Sequence, residues 1–289
     1  MTNASVSAST ADVSGLDLDA YLTRTGWAGE RRATAETLRS LHRAHVEGIP
    51  FENLQPLLDT APSLALPDLQ AKLVRSRRGG YCYEQNTLFA AVLEAFGFGV
   101  TRLAARVLLG ARPGDVRPRT HKLLMVEVPD DGAGTYVADV GFGSVGGLYE
   151  AIPMVEDADV RDGVRRHRLV RRPDDGLEDL WVLQAHQGGA WVDQYSFTRE
   201  PVAQPDFEVV NWHIATNPRS PFQHILFAQR TFPETHLALT GRTLVETRAD
   251  GSATERQLAE DEDVVALLAR DFGIELPAGT RIPATRPAS

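Results

Sequence analysis

The sequence of 289 residues has a single cysteine and no apolar run of the roughly 18 residues needed to span a bilayer. One cysteine excludes an intrachain disulfide framework, and no part of the sequence resembles a thiolate zinc site. Residues 1–14 are rich in Ser, Thr and Ala and lack the basic start and apolar core of a signal peptide. The sequence therefore predicts a cytoplasmic protein with no membrane span and no metal site, in which a reduced thiol persists.

Positive charge is also in short supply. The chain carries 30 basic and 39 acidic side chains, which gives a net charge of −9. A general nucleic-acid binder carries a basic face, so this balance argues against nucleic acid as a partner. An anionic small ligand stays compatible with it, because a local cluster of arginines can hold one.

The only cysteine, Cys82, follows the basic and glycine-rich stretch from Arg77 to Tyr81. Two adjacent glycines there allow turns that residues with a Cβ do not make. Helical spacing of apolar residues begins at Thr87 and ends at Gly97, so Cys82 is predicted at or just before a helix N-terminus. A lone cysteine is usually a buried apolar residue, but a helix start favours thiolate over thiol. This context favours a nucleophile.

His121 and Asp139 are the candidate partners of Cys82. His121 opens an apolar strand, and Asp139 lies in another apolar strand that ends in a glycine turn. A carboxylate in such a strand is costly unless it is paired, and the spacing suits adjacent strands of one hairpin turning at 130–132. In this interpretation His121 takes the thiol proton and Asp139 stabilises the imidazolium. Each residue alone has an ordinary structural explanation, and only their coexistence favours a Cys-His-Asp triad.

The hydrophobic pattern changes from helical to strand-like after Gly97, which predicts an α+β fold. Helices are expected at Leu16–Trp27 (closed by Gly26), Ala35–Val46, Pro67–Ser76, 83–96 and Glu262–Phe272. Strands are expected at Val100–Leu109, Lys122–Val128, Tyr136–Val140, Arg165–Arg171, Leu180–Ala185 and Ala190–Phe197. A hairpin of Leu237–Thr247 with Ala253–Gln257 is expected to turn at Asp250-Gly251, and Phe207–Ala215 and Ile225–Arg230 are open between strand and helix.

Four motifs resemble those of the arylamine N-acetyltransferase family. They are Ile49–Leu54, Arg78–Glu84 with Asn86, Thr120-His121 before an apolar strand, and Asp139–Gly143. The resemblance runs from about Leu16 to about Leu276. It implies an N-terminal helical bundle in residues 1–97, a central antiparallel β-barrel in 98–206 and a C-terminal α/β lid in 207–289.

The resemblance also implies a ping-pong reaction with acetyl-CoA as the acetyl donor. Acetyl-CoA acetylates Cys82 and CoA leaves, and then an arylamine, arylhydroxylamine or hydrazine attacks the thioester while His121 transfers the proton. Asp139 orients His121, and an apolar pocket suppresses hydrolysis. The expected partners are thus CoA and a small aromatic amine or hydrazine, with no metal and a role such as xenobiotic metabolism.

Further residues carry over from the family's motifs. Glu52 and Arg78 are expected to form a buried pair that supports residues 77–81, the cysteine loop that leads to Cys82. Phe142, Tyr81 and Gly143 are expected to contact the acceptor substrate, although Phe142 is equally compatible with a core aromatic.

The resemblance is least informative about CoA, because the family has no phosphate-binding loop. Thr120 and Gly241 are the candidate CoA contacts, together with the segment 217–220. Gln85 departs from the Leu or His commonly found between Glu84 and Asn86, and this position is expected to tolerate substitution.

Two other functions fit the same sequence. One is an amide synthase of the same fold, which releases and cyclises a polyketide in antibiotic biosynthesis; such an enzyme would ignore acetyl-CoA. The other is a binding protein with a relict triad, against which the intact Cys82, His121 and Asp139 argue. The oligomeric state stays open between a monomer and a homo-oligomer.

Overall fold

The computed structural model of the protein describes residues 15–58, 60–112, 114–129, 134–162, 164–173, 180–277, 280 and 282. The expected N-terminal tail, the turn at 130–132 and most of the expected C-terminal tail lie outside the described residues. Within the described part, no helix is long and apolar enough to cross a membrane.

Helices form the first layer of the fold, as the sequence predicts. Asp17 and Thr34 cap the first two helices by accepting backbone N–H bonds from Ala20 and Thr37, and Gly26 ends the first in a left-handed conformation. The helices are α1 (Leu18–Thr25), α2 (Ala35–Gly48), α3 (Leu54–Leu57), α4 (Leu66–Leu69, continued by a π-helical turn at Gln70–Arg75) and α5 (Cys82–Ala95).

The second layer is an eight-stranded antiparallel sheet that curls into a nearly closed barrel. The strands are β2 (Gly99–Val107), β3 (Arg119–Val128), β4 (Gly134–Ala138), β5 (Ile152–Pro153), β6 (Val160–Asp162), β7 (Arg165–Arg172), β8 (Leu180–Gln187) and β9 (Ala190–Phe197). Their order in the sheet is β5-β4-β3-β2-β9-β8-β7-β6, and a bridge between Glu156 and Leu169 links the segment after β5 to β7. The expected barrel is confirmed.

Strand β3 is buried on both faces because it lies between the barrel interior and the helices. Its side chains alternate as a strand requires. Leu123 and Met125 pack in the barrel core, whereas Leu124 and Val126 pack with the helical core. This strand therefore joins the two layers, and β4 pairs with it as the predicted hairpin requires.

The C-terminal region consists of helix α6 (Gln204–Thr216), a five-stranded antiparallel sheet and the closing helix α7 (Asp261–Leu267, continued by a π-helical turn at Leu268–Phe272). The strands of this sheet are β1 (Phe51–Glu52), β10 (Phe227–Thr231), β11 (Thr235–Thr240), β12 (Thr243–Arg248) and β13 (Ala253–Gln257). They are hydrogen-bonded in the order β1-β10-β11-β12-β13. Strand β1 comes from the N-terminal region, so the segment before the cysteine loop completes this sheet.

Three details differ from the sequence-based expectations. The segment 207–215, left open between strand and helix, is the body of α6, so the expected domain boundary after residue 206 falls inside a helix. The segment 237–247 is two strands, because Gly241 adopts a φ of 58° and turns the chain between them. Neither Gly79 nor Gly80 has a left-handed backbone; Arg77, with a φ of 50°, supplies that conformation in the cysteine loop.

The glycines of the cysteine loop are needed for close packing instead. A Cβ on Gly79 would lie 2.1 Å from the Pro50 carbonyl oxygen, and one on Gly80 would lie 2.8 Å from a carboxylate oxygen of Glu84. Backbone atoms of the loop can therefore approach β1 only when the side chain is absent.

We expect Gly79→Ala to lower the free energy of unfolding by about 3 kcal/mol or more, because the clash is with backbone that is fixed by the β1 sheet. Urea titration measures the loss. Gly188→Ala is the control, since Gly188 has a φ of 56° and open space around it, and it should cost only about 1 kcal/mol. Equal losses in the two variants would contradict this account.

Candidate active site

Cys82 is the first residue of α5, and the structure brings it together with His121 and Asp139. His121 stands near the start of β3, and its Nε2 lies 2.6 Å from Oδ2 of Asp139, just beyond the end of β4. The Cys82 sulfur lies on the same pocket wall as His121, interacts with it electrostatically, and is 4.0 Å from the carbonyl oxygen of Thr120. Since Nε2 of His121 faces Asp139, Nδ1 is the nitrogen left for the sulfur. The three expected residues thus form a thiol–imidazole–carboxylate chain.

The electrostatics of this chain favour a charged imidazole. Burial by itself would lower the pKa of His121, but the Asp139 carboxylate and the Cys82 sulfur outweigh burial and raise that pKa from 6.5 to about 10. Burial would raise the pKa of Asp139, but His121, the Asn86 amide and the Gly141 N–H outweigh it and lower that pKa. An imidazolium between a carboxylate and a cysteine sulfur favours the thiolate, which is the nucleophilic form of cysteine.

Asp139 is held by more than His121. Asn86 of α5 donates to its Oδ1 at 2.9 Å, and the Gly141 N–H donates to the same oxygen at 3.1 Å. The Asp139 N–H donates to Nε2 of His42 at 3.0 Å, and Nδ1 of His42 lies 3.0 Å from the Tyr149 carbonyl oxygen, to which it donates. The carboxylate is therefore fixed from α5 and its own loop, and the backbone of Asp139 is fixed from α2.

Gly141 lets the Asp139 loop reach the cysteine. A Cβ at this position would lie 2.7 Å from the Cα of Cys82, so any side chain would separate the loop from α5. The glycine turn that follows Asp139 in the sequence thus has a packing reason at the site itself.

The expected pair of Glu52 and Arg78 is present beneath the cysteine loop. One oxygen of Glu52 accepts from Nε and Nη2 of Arg78 at 3.0 and 2.8 Å, and the other accepts the Leu54 N–H at 2.6 Å. Glu52 is fully buried. This pair ties β1 to the loop that leads into α5.

A pocket of about 610 Å³ opens over the triad, a volume typical of sites for small ligands. Most of its wall is apolar. Its lining residues are Phe51, Tyr81, Cys82, Val107, Leu109, Thr120, His121, Gly141, Phe142, Gly143, His213, Ile214, Asn217, Arg219, Ser220, Pro221, Phe222, Phe227 and Gln229. Gly241, one of the two candidate CoA contacts, is not among them; its N–H donates to the Leu226 carbonyl in the turn between β11 and β12.

Comparisons with known proteins identify the family of this chain. The sequence model of a protein family described as N-acetyltransferase matches residues 34–281. The arylamine N-acetyltransferase of Mycolicibacterium smegmatis is 38% identical over 266 residues, which cover 90% of this chain and 93% of that protein. This chain belongs to the arylamine N-acetyltransferase family.

Solved structures of the family share the fold. The crystal structure of the Nocardia farcinica arylamine N-acetyltransferase superposes with a TM-score of 0.86 at 46% identity and covers 92% of each chain. The Mycobacterium marinum arylamine N-acetyltransferase in complex with CoA gives a TM-score of 0.84 at 35% identity, covering 89% of this chain and 93% of that one. These proteins are acyltransferases, and the resemblance drawn from the four motifs is confirmed.

The family's expected acceptor contacts can now be located. Phe142 stacks edge-on against His121, with ring centres 5.1 Å apart, and Tyr195 of β9 packs against both rings. Sequence reasoning missed Tyr195 because its strand shows no pattern beyond alternation. The Tyr81 ring lines the pocket while its hydroxyl lies 2.5 Å from the side-chain oxygen of Asn211.

The surroundings of Gln85 do not suit the expectation that this position tolerates substitution. It is fully buried, and its amide nitrogen donates to the carbonyl oxygens of Pro50 and Gly80 at 2.8 and 3.2 Å. Its oxygen faces Nε2 of His45 at 2.6 Å, so this nitrogen carries the proton. Nδ1 of His45 then accepts from the hydroxyl of Tyr21 at 2.8 Å. The chain of bonds braces the cysteine loop from α2 and α1.

We expect His121 to be the one charged histidine among the buried histidines of the described structure at neutral pH. Burial lowers the pKa values of His42, His45, His167 and His236 to between about 3 and about 4. The stability that His121 gains from Asp139 should be complete below pH 6.5 and lost as the pH rises through about 10, because its folded-state pKa is raised.

Titration of the imidazole nitrogens by NMR measures this difference. In Asp139→Asn, burial acts unopposed by the carboxylate, so the pKa of His121 should fall to that of the other buried histidines. A parent protein in which His121 already titrates near 6.5 would disprove the ion pair.

Gln85→Leu should reduce the free energy of unfolding by about 2–4 kcal/mol, because three buried polar groups each lose one hydrogen bond. Chemical denaturation reports the change. The control Gln257→Leu removes an exposed amide from β13 and should change stability by no more than about 0.5 kcal/mol. A Gln85 variant as stable as this control would show that the position is tolerant after all.

Proposed function

We propose that this protein transfers the acetyl group of acetyl-CoA to arylamines or arylhydrazines through an acetyl-Cys82 thioester. The observation that carries the proposal is that Cys82 and His121 lie together on the wall of the pocket, with His121 hydrogen-bonded to the buried Asp139 behind it. The names of the family members, and the CoA complex of one of them, support the choice of substrates.

In the first half-reaction the thiolate of Cys82 attacks the carbonyl carbon of acetyl-CoA. The bond between that carbon and the CoA sulfur breaks, and the imidazolium of His121 supplies the proton that the departing CoA thiolate takes up. Asp139 keeps the imidazole ring oriented throughout. The backbone N–H groups of Cys82 and Tyr83 lie in the first turn of α5, where a helix has no internal acceptors for them, and they would stabilise the oxyanion.

In the second half-reaction the amine nitrogen attacks the thioester carbonyl. His121, now neutral, accepts a proton from the amine, and the bond between carbon and the Cys82 sulfur breaks to restore the thiolate. Aromatic side chains around the sulfur, including Phe142 and Phe222, favour a planar aromatic acceptor over water. An apolar wall therefore both selects the acceptor and limits hydrolysis of the thioester.

The CoA moiety would extend from the sulfur past Thr120 and the segment 217–220. Thr120 lines the pocket beside Cys82, and Asn217, Arg219 and Ser220 line it at the end of α6. Arg219 is a cation that could meet a phosphate, and the chain carries no phosphate-binding loop in this region. No observation of the pocket favours the polyketide-releasing amide synthase over this reaction.

Intact-protein mass spectrometry tests the proposal. Protein mixed with acetyl-CoA and no amine should gain one acetyl group, located on Cys82 by peptide mapping, and an arylamine should then remove it much faster than water does. Cys82→Ser should gain no acetyl group, because an alcohol is far less ionised than a thiol at neutral pH. A parent protein that stays unmodified by acetyl-CoA would rule out the acetyltransferase and leave the amide synthase.

A further inference from the structure

Lys122, the neighbour of His121 on β3, is fully buried. Strand alternation places its side chain on the helix-facing side, with Leu124 and Val126. The sequence contains two lysines. Lys72 forms an ion pair with Glu84 at 2.6 Å, whereas Lys122 has no carboxylate within ion-pair distance among the residues that the structure describes. Burying an ammonium group without a carboxylate partner is energetically costly.

The ammonium of Lys122 joins three elements of the active site. It donates to the Thr87 hydroxyl of α5 at 2.7 Å and to the Gln204 side-chain oxygen of α6 at 3.4 Å. It also lies 4.4 Å from the centre of the Phe207 ring on α6. The Thr87 hydroxyl donates in turn to the Tyr83 carbonyl, so its oxygen is free to accept from Lys122. One cation thus connects the strand of His121, the helix of Cys82 and α6.

Helix α6 supplies a wall of the pocket. His213 and Ile214 of α6 line it, and so does the segment 217–222 that follows. The position of α6 relative to the triad therefore sets the width of the space in which both substrates bind. A second polar link, from the Tyr81 hydroxyl to Asn211, holds the middle of the same helix.

The positive charge of this lysine costs folding stability. Burial, and then Arg102, lower the pKa of Lys122 to about 7, against the opposing effects of Cys82, Glu94 and Glu208. Because the folded-state pKa lies below the value of 10.5 expected for the unfolded chain, the unfolded state binds the proton more tightly. The resulting loss of stability is complete below pH 7 and disappears as the pH rises toward 10.5. A methionine of similar length would avoid it.

We propose that Lys122 is a positioning residue for acetyl transfer, which holds α6, and with it one wall of the pocket, against the strand of His121 and the helix of Cys82. The inference rests on the proposed function. It assigns to Lys122 an effect chiefly on substrate binding, since its hydrogen bonds and ring contact are with Thr87, Gln204 and Phe207 and not with the triad.

The test is Lys122→Met, which keeps the length of the side chain and removes the charge and both hydrogen bonds. The KM values for acetyl-CoA and for an arylamine should each rise about fivefold, while the single-turnover rate of Cys82 acetylation at saturating acetyl-CoA stays within about twofold. The Tm at pH 6 should equal or exceed that of the parent. A merely structural lysine would give the reverse pattern, a lower Tm with unchanged KM values, and that result would overturn the proposal.

Two further variants sharpen the test. Gln204→Leu removes only the acceptor on α6 and should raise the same KM values about twofold, and combining it with Lys122→Met should add nothing. Asp206→Asn, at an exposed position of α6 with no hydrogen bond or ion pair to Lys122 in the described structure, is the matched control and should leave the KM values unchanged. If Lys122→Met does not fold, Gln204→Leu decides alone, and unchanged KM values there contradict the inference. Failure of the parent to accept acetyl from acetyl-CoA would instead contradict the proposed function.

Discussion

The buried carboxylate of Asp139 is the interaction on which the rest of the site depends. A carboxylate removed from water must be paired and hydrogen-bonded, and here its partners come from different parts of the fold. His121 belongs to the barrel, Asn86 to the helix that begins at Cys82, and His42 binds the Asp139 N–H from α2. The helical layer and the barrel can therefore satisfy this one residue only when they are docked correctly. The Asp139 carboxylate also raises the pKa of His121, so the docking of the layers and the charge of this histidine have one physical origin.

Side chains of the first turns of α5 contact several other parts of the fold. Because successive residues of a helix point about 100° apart, each side chain after the cysteine meets a different neighbour. Gln85 reaches α2 and the loop before the helix, Asn86 reaches Asp139, and Thr87 meets the lysine of β3. Cys82 alone is directed into the pocket. The start of α5 thus contacts four different parts of the structure, which explains why so little of its first turn is exposed.

The pocket combines parts that are distant in the chain. Its floor comes from α5, β3 and the loop after Asp139, and its outer wall comes from α6 and the segment that follows. Strand β1, which precedes the cysteine loop, pairs with β10 of the C-terminal sheet. The N-terminal region is in this way held to the C-terminal region beside the pocket, which Phe51 of β1 and Phe227 of β10 both line. Relatives with the same fold are arylamine N-acetyltransferases.

The sequence by itself determined the fold class, the helix start at Cys82 and the candidate triad. These features depend on local signals: helical spacing, glycine turns and a charged residue inside an apolar strand. It also predicted the pair of Glu52 and Arg78 through its motifs. Only the tertiary structure decided what Gln85 and Lys122 do, since a polar residue in a helix or strand carries no mark of the distant group it will meet. The same holds for Gly79, which is required by the backbone of β1 and not by its own φ angle. Gly241, a candidate for CoA binding, proved to be a turn residue. Long-range packing sets these contacts, and no local pattern records it.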